Sequence, residues 1–208
     1  MGSVSSGPVC KARSIAFVVF VAVLAAGCGG GGVSAPRYDP GAMARAAMAE
    51  YDKNRDGKLD ASELEACPAL KSALPYIAKD KQAFLTEEDI AGRLREFQES
   101  KIGLLGTRCK VTREGSPVPG VTITFVPEAF MGDTIKPGSG ISDAHGIANV
   151  AVSGEGPSGM SLGYYRIEAS LKDVGGKETL PPQFNVNTKL GHEVQHKWPV
   201  VIPIHLDF

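Results

Sequence analysis

The sequence has almost no net charge, because its acidic and basic residues nearly cancel. It contains 22 Lys and Arg against 23 Asp and Glu, which gives a formal net charge of −1. Proteins that bind nucleic acid usually carry clustered basic residues, which neutralise the phosphates. The composition therefore argues against a nucleic-acid partner.

Several common catalytic signatures are also missing. The chain has no G-x-S-x-G nucleophile elbow, no phosphate-binding P-loop and no Gly-rich string that opens a helix, as a dinucleotide-binding fingerprint does. These absences remove the motif-based case for a serine hydrolase, a P-loop nucleotidase or a dinucleotide-dependent dehydrogenase.

The longest apolar run, residues 15–26, is too short to span a bilayer as a helix. Lys11 and Arg13 precede this run, and Leu-Ala-Ala-Gly-Cys28 ends it. This order of charged, apolar and small residues is typical of a targeting segment. It resembles the signal peptide of bacterial lipoproteins, in which the Cys is acylated and becomes the mature N-terminus. Ala25 departs from that pattern, since Leu is commoner there.

The resemblance implies an exported lipoprotein, anchored to a membrane of the bacterial cell envelope, with a signal peptide over residues 1–28 and lipidation of Cys28. An ordinary signal peptide with a free Cys nearby is the alternative, and N-myristoylation of Gly2 is a weaker one. Export would leave 22 − 2 = 20 basic residues against 23 acidic ones, a net charge of about −3. Residues 29–40 are rich in Gly, then in Ser and Pro, which predicts a flexible linker.

Cysteine is scarce, with four in the chain. Export would remove Cys10 and lipidate Cys28, which leaves Cys67 and Cys109 in an oxidising compartment. The sequence leaves two alternatives open for this pair. The two residues either form a disulfide, which would close a loop of about 40 residues, or remain buried thiols.

Residues 52–63 read D-K-N-R-D-G-K-L-D-A-S-E and match the calcium-loop pattern D-x-[DN]-x-[DN]-G-x5-E at every fixed position. Calcium takes about six to eight oxygen ligands in a flexible shell. Gly57, at loop position 6, permits the sharp turn that such a loop needs. The predicted ligands are Asp52, Asn54, Asp56, the backbone carbonyl of Lys58, Asp60 and the bidentate carboxylate of Glu63.

Apolar residues flank this loop, with Tyr51 before it and Leu64 after it. The stretch resembles the EF-hand family, which implies Ca²⁺ as the bound ion. The dockerin calcium loop is the nearest rival, but Glu63 at position 12 and the Ala-rich entering segment favour the EF-hand. An acidic surface turn without a metal is the non-functional alternative.

Residues 41–100 favour helices. Thr86 is placed to cap the last of them, and Pro75 is expected just beyond the third. Aligning Leu85 with Leu59 produces a second loop over residues 78–89, in which Ala replaces both the first ligand and the turn glycine. We therefore predict a degenerate second EF-hand that packs without binding. The predicted helices are 41–51, 61–66, 68–74 and 86–98.

Residues 105–208 change character, since Gly and Pro recur and apolar residues alternate. Pro203 predicts a sheet edge for the last strand. Turn glycines near residues 115–120 and 142–146, and the strand start at 163–167, resemble the carboxypeptidase-regulatory-like, transthyretin-type β-sandwich. That resemblance implies a structural or binding module. The predicted strands are 106–112, 121–127, 147–153, 164–171, 188–196 and 200–207.

The predicted fold class is α+β multidomain, with an N-terminal helical EF-hand pair over residues 41–100, the second hand being degenerate. An antiparallel β-sandwich over residues 105–208 follows it.

His192, Glu193 and His196 spell H-E-x-x-H, the motif of zinc metallopeptidases. On a helix both His would share one face, but Pro199 follows closely and prevents a long helix. His205 and Asp207 are the candidate third ligands downstream. On a strand Glu193 would point away from both His, and we then expect Glu193→Gln to leave folding unchanged.

We thus expect an exported calcium-binding envelope lipoprotein with a structural or binding role, and not an enzyme. The alternatives are a zinc metallopeptidase that uses His192, Glu193 and His196, and a calcium-responsive regulator of an envelope partner. The expected partners are a membrane, through the lipid anchor, and an envelope protein or polysaccharide.

Overall fold

The computed structural model describes residues 1–3, 33–153, 158–197 and 201–207. By its internal contacts the chain divides into Met1–Gly31 and Gly32–Phe208, and the helices and strands given below belong to the second unit. No helix in these described stretches is long and apolar enough to cross a membrane. Cys28 and most of the predicted signal peptide lie outside the described residues.

The described residues form three α-helices, namely α1 (Pro40–Tyr51), α2 (Pro68–Ile77) and α3 (Glu87–Ser100). Proline begins α1 and α2, at a position where its missing N–H has no helical partner to lose. Thr86 caps α3 as predicted. Its Oγ1 accepts a hydrogen bond from the Asp89 backbone N–H, and the Asp89 carboxylate accepts one from the Thr86 N–H.

Two helix predictions were wrong in detail. The segment after the candidate loop is a 3-10 turn over Glu63–Ala66, not an α-helix. Helix α2 continues through Pro75 to Ile77. Pro75 lies in the last turn, where it removes a single N–H donor, and the turn still closes by a 3.1 Å bond from the Ala78 N–H to the Leu74 carbonyl.

Two short strands lie among the helices, β1 (Lys58–Leu59) and β2 (Leu85–Thr86), and they pair antiparallel. The other strands form one sheet. Its members β4 and β6 were not predicted, because one is two residues long and the other is Gly-rich. The strands of the sheet are β3 (Thr107–Arg113), β4 (Ser116–Pro117), β5 (Thr122–Pro127), β6 (Gly138–Ile141), β7 (Ile147–Val152), β8 (Gly163–Ser170), β9 (Gly191–Val194) and β10 (Val201–His205).

The fold is mixed α+β, with a curled sheet in the order β10-β3-β7-β6-β5-β8-β9 and β4 paired to β3. Strand β7 joins the two halves of the sheet, because its first residues pair with β3 and its last two with β6. The prediction of antiparallel pairing is wrong for β10, which runs parallel to β3. A parallel pair needs a crossover connection, and β10 follows β9, at the other end of the sheet. The edge position predicted from Pro203 is confirmed.

Aromatic side chains connect the helices with the sheet in one buried core. Phe97 of α3 lies with its ring centroid 6.1 Å from Tyr38 and 5.9 Å from Tyr164 of β8. Phe130 continues the series, 5.6 Å from Tyr164 and 6.4 Å from Tyr51 at the end of α1. All five side chains are buried. Helices and sheet therefore stabilise one another within this unit.

Helix α2 approaches β9 so closely that one position leaves no room for a side chain. A Cβ built at Gly191 would lie 2.2 Å from the backbone nitrogen of Ala69 and 2.7 Å from Cβ of Pro68. Backbone atoms cannot yield as a flexible side chain would. The first turn of α2 therefore depends on glycine at this position.

We expect Gly191→Ala to lower the free energy of unfolding by about 1–3 kcal/mol, the usual cost of overpacking, because α2 must move away from β9. Gly106→Ala is the matched control, since a Cβ there meets nothing within 4 Å. Urea denaturation of both variants measures the difference. Equal losses in the two would contradict the close α2–β9 contact.

Candidate metal centre

The candidate loop begins where α1 ends. The Asp52 N–H still donates to the Met48 carbonyl of α1 at 2.9 Å, while its carboxylate turns toward the loop. Asp52 Oδ1 accepts from the Asp56 N–H at 3.2 Å, and Oδ2 accepts from the Gly57 N–H at 3.0 Å. Gly57 has φ +80°, a conformation that costs glycine little. The backbone therefore wraps around the first carboxylate, and the turn predicted at Gly57 is present.

The carboxylate of Glu63 connects the end of the loop to its beginning through hydrogen bonds. Its Oε1 accepts from the backbone N–H of Lys53 at 2.8 Å and of Asn54 at 3.2 Å, and its Oε2 accepts from the Asp60 N–H at 3.2 Å. The side chain is 8% exposed. Position 12 therefore lies beside positions 2 and 3, as a ligand set that surrounds one ion requires.

Asp60 holds the exit from the loop. Its Oδ1 accepts from the Glu63 N–H at 3.0 Å, and from both the N–H and the hydroxyl of Ser62 at 2.8 Å. These donors lower the pKa of Asp60 below its ordinary value, because they stabilise the charged carboxylate. Asp60 is thus ionised at neutral pH, the form in which a carboxylate binds calcium.

The remaining predicted ligands are exposed on the same loop. Asn54 donates from Nδ2 to Asp56 Oδ2 at 3.3 Å, and its Oδ1 accepts from the Asp56 N–H at 2.9 Å. The Lys58 ammonium lies 4.5 Å from the Phe84 ring centroid, in a cation–π contact. Phe84 belongs to the second loop, so this contact places the positive charge of Lys58 beside that loop.

Among the described residues, no group of three or more His, Cys, Asp or Glu side chains is arranged to hold a metal ion. In the candidate loop the carboxylates bind the backbone amides of the loop. The donor set still suits calcium, because every predicted ligand atom is an oxygen on one closed turn. Loading would require the carboxylates to exchange amide donors for the cation.

The second loop repeats the backbone features of the first. Lys81 has φ +57° at the position that matches Arg55, which has φ +60°. Asp89 accepts from the Thr86 N–H at 2.9 Å, as Glu63 does from the Asp60 N–H. Leu59 of β1 lies opposite Leu85 of β2, in the predicted alignment.

The ligand positions of the second loop are incomplete. Ala78 has no side-chain oxygen, and Ala83 does not share the positive φ of Gly57. The Asp80 side chain lies outside what the structure describes. Asp89 is buried, and its Oδ1 has no hydrogen-bond partner in the described stretches of the chain.

A buried carboxylate that sequence patterns did not indicate contacts Tyr51, the residue that precedes the candidate loop. Glu128 is 3% exposed, and its Oε2 accepts from the Tyr51 hydroxyl at 3.4 Å. Its Oε1 has no hydrogen-bond partner among the residues that the structure describes. Burial raises the pKa of Glu128, and the charge of Arg166 partly opposes that rise. Nothing in the sequence marks this residue, because its partners come from distant segments.

Cys67 and Cys109 are both free and buried. Of the two alternatives left open by the sequence, the structure therefore has the buried thiols. Burial raises the pKa of both, that of Cys109 to about 12. Neither thiol has the exposed, easily ionised character of a reactive cysteine.

The H-E-x-x-H string lies on strand β9 and in the turn after it, not on a helix. Glu193 is 4% exposed and forms a buried ion pair with Arg93 of α3, with Nε–Oε1 at 2.5 Å and Nη2–Oε2 at 3.3 Å. Burial raises the pKa of Glu193, and the Arg93 hydrogen bonds oppose the rise. His196 is exposed in the turn. The helical spacing that would bring both His to one metal is therefore not formed.

The two downstream candidates have other partners. His205 Nδ1 lies 3.0 Å from the Thr112 hydroxyl, and Asp207 accepts from the Glu114 N–H at 2.8 Å.

The ion pair overturns the expectation that Glu193→Gln is neutral for folding. We now expect a loss of about 3 kcal/mol, near the lower end for a broken buried pair, because Glu96 still binds Arg93 at 2.7 Å. Glu88→Gln, which breaks the exposed Arg95–Glu88 pair on the same helix, should cost less than about 1 kcal/mol. Urea denaturation of both variants tests the prediction, and it fails if the two losses are equal.

Comparison with protein families, with curated protein sequences and with solved structures gives no match for this chain. Function must therefore be inferred from the residues and contacts above.

Proposed function

We propose that the protein is an exported lipoprotein of the bacterial cell envelope that binds one calcium ion and has a structural or binding role. The observation that carries the proposal is the closed loop over residues 52–63, in which Glu63 returns to the backbone of Lys53. Asp52, Asn54, Asp56, Asp60 and Glu63 would supply side-chain oxygens, and Lys58 its carbonyl. Bound calcium would tie the two ends of this loop together.

We further propose that the helical segment is an EF-hand pair with a degenerate second hand. The support is the β1–β2 pairing, which places Leu59 opposite Leu85, and the shared positive φ of Arg55 and Lys81. A single hand has a small core, so a second hand that packs without a metal has a physical use.

The curled sheet is proposed to be the transthyretin-type β-sandwich that the turn glycines resemble. The support is β7, which pairs with β3 in its first half and with β6 at its end, so that one strand belongs to both halves. A sandwich of this type would serve as the binding or structural module, with an envelope protein or polysaccharide as its partner.

We expect calcium to bind with a Kd on the order of 10⁻⁵ to 10⁻³ M, nearer the range of extracellular modules than that of cytosolic buffers, because Lys53, Arg55 and Lys58 weaken the negative potential of the loop. Glu63→Gln should remove most of this binding. Glu65→Gln is the matched control, since Glu65 lies just beyond the loop and pairs with Lys71 on the surface. Calorimetric titration of the purified full-length protein in detergent measures the Kd of the wild type and of both variants.

A nanomolar Kd, or unchanged binding in Glu63→Gln, would contradict the calcium assignment. A loss of binding in Glu65→Gln equal to that in Glu63→Gln would show that the effect is general acidity and not a defined ligand.

We expect Cys28→Ala to leave the protein unprocessed or to release it from the membrane fraction, because the thiol that would carry the lipid is gone. Cys10→Ala is the control, since Cys10 would be removed with the signal peptide, and it should change nothing. Mass spectrometry of the mature N-terminus should find an acylated Cys28. An unmodified N-terminus at any other residue would overturn the lipoprotein assignment.

A further inference from the structure

The curl of the sheet brings its two end strands to one cavity. Strands β9 and β10 stand at opposite ends of the strand order, yet residues of both line the same cavity of about 320 Å³. Ser72 and Tyr76 of α2 form part of its wall. This volume lies at the lower end of the range for small-molecule sites in proteins. The cavity therefore suits a compact ligand better than a protein segment.

Most of the wall is aliphatic. Ile167 of β8, Leu190 and the β10 residues Ile202 and Ile204 contribute it. A ligand that covers these side chains would gain the free energy of removing apolar surface from water. The main part of the ligand should accordingly be apolar.

Three polar side chains of the wall have partners within the chain. The charge of Glu193 is neutralised by Arg93, and Gln195 Oε1 accepts from the Lys197 N–H at 2.7 Å. Ser72 Oγ donates to the Ala69 carbonyl at 2.8 Å. His192 has no hydrogen bond or ion pair with any part of the chain that the structure describes.

His192 is also neutral at physiological pH. Burial lowers its pKa to about 4, because the cavity wall cannot solvate an imidazolium. A neutral imidazole has one N–H donor and one acceptor nitrogen. It can therefore bond a hydroxyl group but offers no charge to an anion.

We propose that this cavity is a binding site for a small uncharged molecule, chiefly aliphatic or aromatic, whose single hydroxyl group bonds to the imidazole of His192. The site is separate from the calcium loop, and the proposal does not depend on calcium binding. The resemblance to a β-sandwich does not say which ligand the sheet binds, whereas this proposal names a class of ligand.

The test uses p-cresol and toluene, which have the same ring and methyl group and differ by one hydroxyl. Full-length protein in lipid nanodiscs is titrated by calorimetry, with empty nanodiscs to correct for partition into lipid. We expect saturable binding of p-cresol at one site per chain. Toluene should bind about threefold to tenfold more weakly, the equivalent of one neutral hydrogen bond. Both probes are measured on the wild-type protein, so a folding defect in a variant cannot affect this comparison.

Two substitutions locate the site. His192→Leu should bring the affinities for p-cresol and toluene to within about twofold of each other, because the hydroxyl loses its partner. Ser72→Leu should weaken both probes at least tenfold by filling the cavity from the half-buried face of α2. Ser116→Leu, the same change on exposed β4, should leave both affinities unchanged.

Non-saturable binding of p-cresol, or a p-cresol preference that survives in His192→Leu, would overturn the proposal. So would Ser72→Leu binding both probes as the wild type does. Failure of p-cresol to bind, together with two chains per nanodisc at low loading ratios, would show that a second copy of the chain covers the cavity instead.

Discussion

The aromatic series that runs from Tyr38 through Phe97, Tyr164 and Phe130 to Tyr51 is the packing on which the rest of the unit depends. Its residues lie, in order, before α1, on helix α3, on strand β8, in the turn after β5 and at the end of α1. Neighbouring ring centroids are 5.6–6.4 Å apart. Large aromatic side chains bury much apolar area each, and their tilted contacts add about 0.5–1.5 kcal/mol per pair. Short helices of 12 and 14 residues are marginal alone, so this packing helps to keep α1 and α3 folded.

Polar contacts at the same boundary add specificity. The buried Arg93–Glu193 pair joins α3 to β9, and the Tyr38 hydroxyl donates to the Leu162 carbonyl at 2.8 Å. A buried ion pair is weak evidence for stability, because desolvation of both charges offsets their attraction. It does penalise any arrangement in which α3 slides along the sheet, since either charge would then be buried alone. The register of helix and strand is fixed in this way.

Sequence reasoning succeeded where the determining residues are close together in the chain. The Thr86 cap and the turn at Gly57 each depend on side chains and amides within a few residues. The six strands with clear alternation were also found, with their ends displaced by at most three residues. Pro75 was misjudged, because a proline in the final turn of a helix costs only one hydrogen bond.

The missed features depend on residues that are far apart. Arg93 and Glu193 are separated by 100 positions, and Tyr51 and Glu128 by 77. The cavity forms from α2, from β8 and from the two strands at opposite ends of the sheet. The residues from His192 to His196 match a zinc motif, but the motif itself does not reveal that Glu193 forms an ion pair with Arg93. These long-range contacts follow from the order in which the elements pack. A short stretch of sequence does not reveal that order.

The position of Tyr51 links the candidate calcium loop to the stability of the whole unit. Tyr51 directly precedes Asp52, and its ring and hydroxyl lie in the core shared by helices and sheet. An ion held at Asp52 would thus stabilise the whole unit and not only a local turn. At a calcium concentration ten times the Kd this linkage adds about 1.4 kcal/mol, and at the low calcium of a bacterial cytoplasm it adds almost nothing. Under the proposed export, the chain would be least stable before translocation and would gain stability once outside the cell.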